Sequence, residues 1–203
     1  MVMRSVGFRL SLKHLVVVLA ILITSAVEAG GPVKPALTQF TNKRYRYSLE
    51  YPVSWRRFAA LDDHFDIADF PASKSVPGVV IPSGGALIIV MVPEEIAHQP
   101  GQMPPSLEHF VRLATSHQNV IGRRSLEIET ERGRRSVIEV KTNCCVDPVD
   151  SEYVSWYFGV DGHMLSVTLG YREGNKNVDK LLTTMRGVAL SIRVAPLAGS
   201  ARQ

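Results

Sequence analysis

Apolar and polar residues alternate along several short stretches of this chain, which is the pattern of strands that turn one face to a core. Between Tyr45 and Trp55, every second residue from Tyr47 to Tyr51 is large and apolar, with Leu49 between them. Pro52 stops the strand, and Trp55 follows just beyond. We predict that Tyr47, Leu49, Tyr51 and Trp55 are core residues; the alternative is that their rings form a platform for a ligand.

A segment in the second half of the chain predicts a β-hairpin around Arg132-Gly133. Charged residues such as Glu129 and Glu139 alternate with small or apolar ones on both sides of this turn. We assign the following residues to the apolar face: Leu126, Ile128, Thr130, Ser136, Ile138 and Val140. The pattern therefore predicts one apolar face and one charged face.

A second hairpin is predicted around Asp161-Gly162, a dipeptide that favours two-residue turns because both positions accept positive φ. The alternating apolar residues on its two sides are Trp156, Phe158, Val160, Leu165, Val167, Leu169 and Tyr171. We count Trp156 among the core residues. Ala86–Val92 is a continuous apolar run between Gly85 and Pro93, which predicts a strand buried on both faces.

Two other segments have the period of an amphipathic helix. Ser106 is placed to cap a helix reaching His117, and Asn177 to cap a second one near the C-terminus. Their apolar stripes are Leu107, Phe110, Val111 and Ala114 in the first, and Val178, Leu181, Leu182, Met185 and Val188 in the second. Because strands joined by tight turns dominate, we predict an α+β fold: one antiparallel sheet with helices packed on its faces.

The N-terminus has the organisation of an export signal. Arg4, Arg9 and Lys13 precede the aliphatic run Leu15–Ile23, and Ala29 ends a small-residue motif suited to a signal peptidase. The run is shorter than the roughly 20 residues that span a bilayer, although an uncleaved anchor is the alternative. We predict a signal peptide over 1–29, a periplasmic or extracellular protein, and no stable membrane span after cleavage.

The remaining chain is long enough for one domain. We predict a flexible lead-in over 30–39, a single domain over 40–193 and a disordered tail over 194–203.

The charge balance argues against a nucleic-acid partner. The full chain of 203 residues has 23 basic and 19 acidic side chains, and the leader contains three of the basic and one of the acidic ones, which leaves 20 and 18. Arg123-Arg124 and the arginines at 132–135 interleave with Glu127, Glu129 and Glu131, which we expect to pair with them across the hairpin. No aromatic stacking platform accompanies them.

Motifs of common enzymes are absent from the sequence. It has no Gly-x-Ser-x-Gly, no phosphate-binding glycine loop and no His-Glu-x-x-His. His109 and His117 are eight residues apart, about 12 Å along a helix, so they cannot share an ion, and we expect both to face solvent. We therefore expect a non-enzyme without an organic cofactor, although a hydrolase with an unrecognised site is an alternative.

Asp62, His64 and Asp66 are the best candidates for a divalent metal site. In an extended chain, these three side chains point to one face, and carboxylate and imidazole groups suit several divalent ions. An exposed acidic loop without an ion is the other interpretation.

Cys144 and Cys145 are adjacent and are the only two cysteines of the chain. Neighbouring Cα atoms are about 3.8 Å apart, closer than in ordinary disulfides, so a vicinal bridge would be strained and easily reduced. The alternatives are one buried and one exposed thiol, an intermolecular bridge, or a redox or metal role.

Two motifs, Tyr47–Trp55 and Ser191-Ile192-Arg193, together with the order of predicted elements, resemble the PsbP-like family. Extrinsic subunits of the photosystem II oxygen-evolving complex are its best-known members. The resemblance implies an antiparallel sheet between helices, and binding rather than catalysis. We expect an exported accessory protein that contacts a protein partner or a small ligand in an envelope complex. The candidate contact loops are Ala72–Gly85 and Pro93–Pro105, and a metal- or small-ligand-binding module is the alternative.

Overall fold

The computed structural model describes residues 35–43, 45–58, 64–71, 80–91, 106–143, 150–161 and 163–195. Ten strands and two helices lie within these ranges. The strands are β1 Leu37–Asn42, β2 Tyr47–Pro52, β3 Arg56–Arg57, β4 His64–Ala68, β5 Ala86–Met91, β6 Asn119–Thr130, β7 Gly133–Asn143, β8 Ser151–Val160, β9 His163–Arg172 and β10 Arg193–Val194. The helices are α1 Leu107–Ala114 and α2 Val178–Ser191. The predicted α+β class is confirmed.

The strands form two antiparallel sheets, whereas the sequence predicted one. The larger sheet has the order β3-β4-β5-β9-β8-β7-β6, and the smaller one has the order β1-β2-β10. The spacing of apolar residues does not predict this division into two sheets, because β2 and β10 pair residues that are about 145 positions apart in the sequence. Such long-range pairing is decided by packing and not by local pattern.

The hairpin of β8 and β9 is confirmed as predicted. Val160 lies opposite His163, so two residues join the strands as predicted, and the first of them, Asp161, has φ of 49°. Trp156 lies opposite Val167 on the face that packs in the main core. β5 is likewise an interior strand, between β4 and β9.

The hairpin of β6 and β7 has a different register from the predicted one. Thr130 pairs with Gly133, so the turn is Glu131-Arg132 and not Arg132-Gly133. Leu126 consequently lies opposite Val137, on the opposite face from Ile138. A shift of one residue moves every side chain to the other face. The predicted division into one apolar and one charged face is therefore wrong. β7 has buried side chains on both faces, Val137 on one and Ile138 and Val140 on the other.

The main core fills the space between one face of the large sheet, the small sheet and α2. Tyr47, Leu49, Trp55 and Trp156 are buried in it, which confirms their prediction as core residues. Tyr51 is only half-buried and packs with its ring edge towards Phe65, with centroids 5.2 Å apart. The predicted stripe of α2 is also confirmed: Leu181, Met185 and Val188 are buried in this core, and Val178 and Leu182 pack against it.

Helix α1 covers the opposite face of the large sheet. Phe110 and Val111 are buried against Ile138, Val140 and Tyr157, and Phe110 meets the Tyr157 ring edge-on. The helices therefore lie on opposite faces of the large sheet, as the fold prediction required.

The caps of the two helices differ. Ser106 caps α1 as predicted, since its hydroxyl accepts a hydrogen bond from the His109 N–H at 3.2 Å. The helix ends at Ala114, three residues before the predicted His117. At the start of α2, Asn177 occupies the cap position but its side chain makes no capping hydrogen bond.

Two predicted boundaries need correction. β1 begins at Leu37, within the segment predicted as a lead-in over 30–39, and it pairs with β2 along its whole length. Val194 belongs to β10 and is buried, so the tail predicted over 194–203 cannot start there. In both places, pairing with β2 orders residues whose own composition predicts flexibility.

Several predictions fall on residues outside the described ranges. These are the signal peptide, Asp62, the pair Cys144 and Cys145, and most of the loops Ala72–Gly85 and Pro93–Pro105. Among the described helices, none is both long and apolar enough to cross a bilayer.

Candidate functional site

A bulge near the start of β6 places one of the side chains that line a cleft against α1. Val120 lies opposite Thr142 and Gly122 opposite Lys141, so Ile121 is the extra residue. After the bulge, Arg123 lies opposite Val140. Thr142 and Val140 share the sheet face that α1 covers, so the bulge places both Val120 and Arg123 on that face.

The cleft lies between α1 and β6 and has a volume of about 390 Å³. It is lined by Ser106, Glu108, His109, Arg112, Thr115 and Arg123. The apolar stripe of α1 faces the sheet, so its polar positions at Glu108, His109 and Arg112 face the cleft.

The polar groups of the cleft engage one another. Arg123 forms an ion pair with Glu108, which ties β6 to the first turn of α1. Arg112 Nη2 lies 3.0 Å from His109 Nδ1, an arrangement in which the guanidinium donates to the ring nitrogen. Since Arg112 and Arg123 face a single acid, the cleft keeps a positive charge even when His109 is neutral. His109 and His117 are both exposed, as predicted.

The two elements that line this cleft also carry exposed apolar side chains. Leu113 of α1 is 50% exposed, and Val120 and Ile121 of β6 are 43% and 49% exposed. Large apolar side chains left in water next to a polar cleft are typical of contact sites. We call the cleft and these three residues the α1–β6 surface. Sequence reasoning missed it, because only the bulge and the placement of α1 bring its two halves together.

Ser191 and Arg193 of the motif Ser191-Ile192-Arg193 line a smaller cleft of about 190 Å³. Ser191 Oγ accepts from the Glu50 N–H at 2.8 Å, next to the two positions at which β10 pairs with β2. Arg193 donates to the Leu190 carbonyl at 2.7 Å and to Glu131 at 2.9 Å. The motif therefore joins the end of α2 to the small sheet and to the β6–β7 turn, which is a structural role.

Two carboxylates on the main-core face of the large sheet each receive two donors. Glu139 accepts from Arg124 Nε at 2.6 Å and from Trp156 Nε1 at 2.9 Å. Glu152 accepts from Lys141 Nζ at 2.7 Å and from the Tyr171 hydroxyl at 2.9 Å.

The contacts around Glu152 shift the pKa values of Glu152 and Tyr171. The hydrogen bond from Lys141 holds the pKa of Glu152 below its ordinary value of 4.5. Burial raises the pKa of Tyr171, and the neighbouring Glu152 raises it further. A carboxylate held ionised by two donors is suited to anchoring its neighbours and not to general acid–base catalysis at neutral pH.

The structure places two of the three candidate metal ligands. His64 and Asp66 lie on one face of β4, as extended chain requires, and Asp66 is buried. The third, Asp62, lies outside the described ranges. Among the described residues, no three His, Cys, Asp or Glu side chains are grouped so that they could hold a metal ion. The metal site stays a prediction, which elemental analysis of the native protein tests.

At one end of the large sheet, four neighbouring strands carry Asn143, Glu152, Tyr171 and Ala86 side by side. Segment 144–149, with both cysteines, connects Asn143 of β7 to Asp150. Asn143 lies opposite Glu152, which lies opposite Tyr171, which in turn lies opposite Ala86 at the start of β5, where the loop Ala72–Gly85 ends.

No protein-family model and no curated protein sequence matches the chain. Among solved structures, it is similar to cyanobacterial PsbP from Synechocystis, with a TM-score of 0.40 and 16% identity over 84% of this chain and 99% of that one. It is similar to the Ran-binding protein Mog1p of Saccharomyces cerevisiae, with a TM-score of 0.46 and 6% identity over 80% and 97% of the two chains.

A protein from Bacteroides thetaiotaomicron is also similar, with a TM-score of 0.45 and 10% identity. The match covers 77% of this chain but 48% of that protein, so the chain spans about half its length. A PsbP is thus among the similar structures, in line with the resemblance in the sequence. At these identities and TM-scores the similarity is one of fold and does not extend to function.

Proposed function

We propose that this chain is an exported, non-catalytic accessory protein that binds a protein partner through the α1–β6 surface. The observation that carries the proposal is the exposure of three apolar side chains, Leu113, Val120 and Ile121, on the two elements that line a positively charged cleft. Burial of apolar area supplies most of the free energy of protein association, and charged groups around it select the partner.

The cleft has the chemistry of a binding surface. Arg123 pairs with Glu108 and so connects β6 to α1, whereas Arg112 donates to His109 within α1, so these polar groups already have partners before another protein binds. A preorganised surface loses less conformational entropy on binding. The excess of arginine favours a partner segment that carries apolar side chains flanked by acidic ones.

The proposal of export rests on the leader pattern of the sequence, with three basic residues before an aliphatic run and Ala29 at the cleavage position. It places the partner in the cell envelope or outside the cell. N-terminal sequencing of the protein from an envelope fraction tests this part, and a mature chain that begins at Gly30 is the expected result.

Site-specific photocrosslinking in cells tests the binding surface. A photoreactive residue at Val120 is expected to give a discrete crosslinked adduct whose second component mass spectrometry identifies. The matched control is Val53, a valine with 57% exposure in the turn after β2 of the small sheet. Equal adducts from both positions, or none from Val120, would contradict the assignment of the surface.

Leu113→Asp in the same background adds a second readout. It puts a charge on the apolar part of the surface without touching a buried residue, and we expect it to reduce the Val120 adduct. An undiminished adduct would mean that the partner contacts Val120 but not the α1–β6 surface as a whole.

A further inference from the structure

The two edges of the large sheet are very different. At one edge, β3 is two residues long and pairs with only two residues of β4. At the other edge, β6 is twelve residues long, and within the described residues it pairs only with β7. The outward-facing N–H and C=O groups of such an edge form a template for another strand.

Charges are sorted along β6 by sign. Arg123 and Arg124 lie in its first half, and Glu127 and Glu129 lie in its second half. Side by side in a parallel arrangement, two copies would place like charges next to each other. In an antiparallel arrangement, the basic half of each strand meets the acidic half of the other.

The regular part of the strand fixes a register. The bulge at Ile121 interrupts pairing at one end, so the uninterrupted segment runs from Gly122 to Thr130. Its midpoint is Leu126. Antiparallel pairing about this residue uses the full segment of both copies.

We propose that β6 pairs with β6 of a second copy of this chain, antiparallel and centred on Leu126, to form a two-fold symmetric dimer with a continuous sheet. In this register Arg123 lies opposite Glu129 of the other copy, twice by symmetry, and Ser125 lies opposite Glu127. Leu126 lies opposite itself. No two like charges are directly opposed.

The side chains of Arg123 and Glu129 are exposed enough to exchange their present partners for those of a second copy. Arg123 and Glu129 also have partners within their own copy, Glu108 and Arg134, but the side chains of Arg123 and Glu129 are 43% and 73% exposed. Surface ion pairs of this kind contribute little to stability, so their rearrangement costs little.

The two-fold axis is perpendicular to the sheet. It leaves both α1 helices on the same face, so the dimer presents two α1–β6 surfaces side by side. The dimer does not depend on the proposed partner, and either could be right without the other.

Charge reversal tests the pairing in the purified protein by sedimentation equilibrium. Glu129→Lys and Arg123→Glu each place like charges opposite one another at two symmetric positions, and each is expected to weaken the dimer by about tenfold or more. The double variant restores opposite charges and is expected to recover most of the affinity. Glu173→Lys, the same charge change at an exposed site outside β6, is the matched control.

The wild-type dimer is also expected to weaken with added salt, because its charge pairs are near the surface. A protein that stays monomeric at millimolar concentration and low salt would overturn the proposal. So would a dimer that the two single reversals leave unchanged, or one that the double variant fails to restore.

A cysteine crosslink tests the register. In Leu126→Cys, the two introduced thiols face each other across the axis, and mild oxidation is expected to give a dimer linked between the two positions 126, which peptide mass spectrometry locates. Glu173→Cys is the control. A position-126 link no faster than the control link contradicts the register, even if a dimer forms by another surface.

Discussion

At the scale of single residues, the ionised form of a side chain on the main-core face of the large sheet contributes to the stability of the fold. Glu152 is the clearest case, because Lys141 and Tyr171 both donate to it and its side chain is only 22% exposed. Its pKa in the folded protein lies below the ordinary value of 4.5. Its ionised form therefore stabilises the fold above about pH 4.5, and that contribution is lost as the pH falls through the folded pKa.

Glu152→Gln is expected to lower the free energy of unfolding at pH 7 by an amount on the order of 1 kcal/mol, since the charge-assisted bonds become weaker. The difference from wild type should shrink as the pH falls below 4.5 and through the folded pKa of Glu152, where the wild-type carboxylate takes up a proton. Thermal melts from pH 3 to 7 measure this, with Glu173→Gln as an exposed control. A difference that stays constant with pH would show that the charge of Glu152 has no part in it.

The absence of a side chain at Gly170 of β9 allows the Tyr153 ring to pack against the backbone of this strand. A Cβ at this position would lie 2.7 Å from Tyr153 Cε1 and 3.2 Å from Ile81 Cδ1. Tyr153 lies directly opposite Gly170, so the ring covers the space that a side chain would fill.

Gly170→Ala is expected to destabilise the protein by about 1–3 kcal/mol, because the Tyr153 ring must move from its packed position. Gly159→Ala on β8 is the matched control, since its Cβ would meet no atom closer than 3.9 Å. Denaturant unfolding of both variants measures the difference. Equal stabilities would mean that Tyr153 moves without cost.

At the scale of elements, local pattern predicted the strands and helices better than their registers. The β8–β9 hairpin was predicted in full, because Asp161-Gly162 fixes a two-residue turn and with it every cross-strand pair. Around Glu131-Arg132 no such dipeptide marks the turn, and the predicted faces were off by one residue. Turn chemistry, more than apolar alternation, decides register.

β1 supplies a test of the domain boundary. A chain that begins at Phe40 lacks three of the six β1 residues, those opposite Glu50, Tyr51 and Pro52. We expect it to melt several degrees below a chain that begins at Ala36, because half of an outer strand and its backbone hydrogen bonds are gone. Calorimetry of the two chains compares them, and equal melting temperatures would restore the predicted start of the domain near residue 40.

At the scale of the whole molecule, the candidate site joins two elements, α1 and β6, whose sequence patterns give no sign that they meet. Sequence reasoning treated Arg123 as part of a solvated charged face, and the paired Glu129 and Arg134 agree with that interpretation. The bulge at Ile121 and the packing of Phe110 on Tyr157 bring Arg123 to Glu108 and into the cleft that Arg112 also lines. A one-residue bulge has no periodic signature, so the cleft was not predictable.

The sequence by itself determined the α+β class, the antiparallel pairing, both helix stripes and the core positions of Tyr47, Leu49, Trp55 and Trp156, because each of these follows from the spacing of apolar residues and from turn residues within a short window. Only the tertiary structure decided the split into two sheets, the register of β6 on β7, the position of β6 at the edge of the described large sheet and the α1–β6 surface. These depend on contacts between residues far apart in the chain, and such contacts are selected by the packing of the whole core.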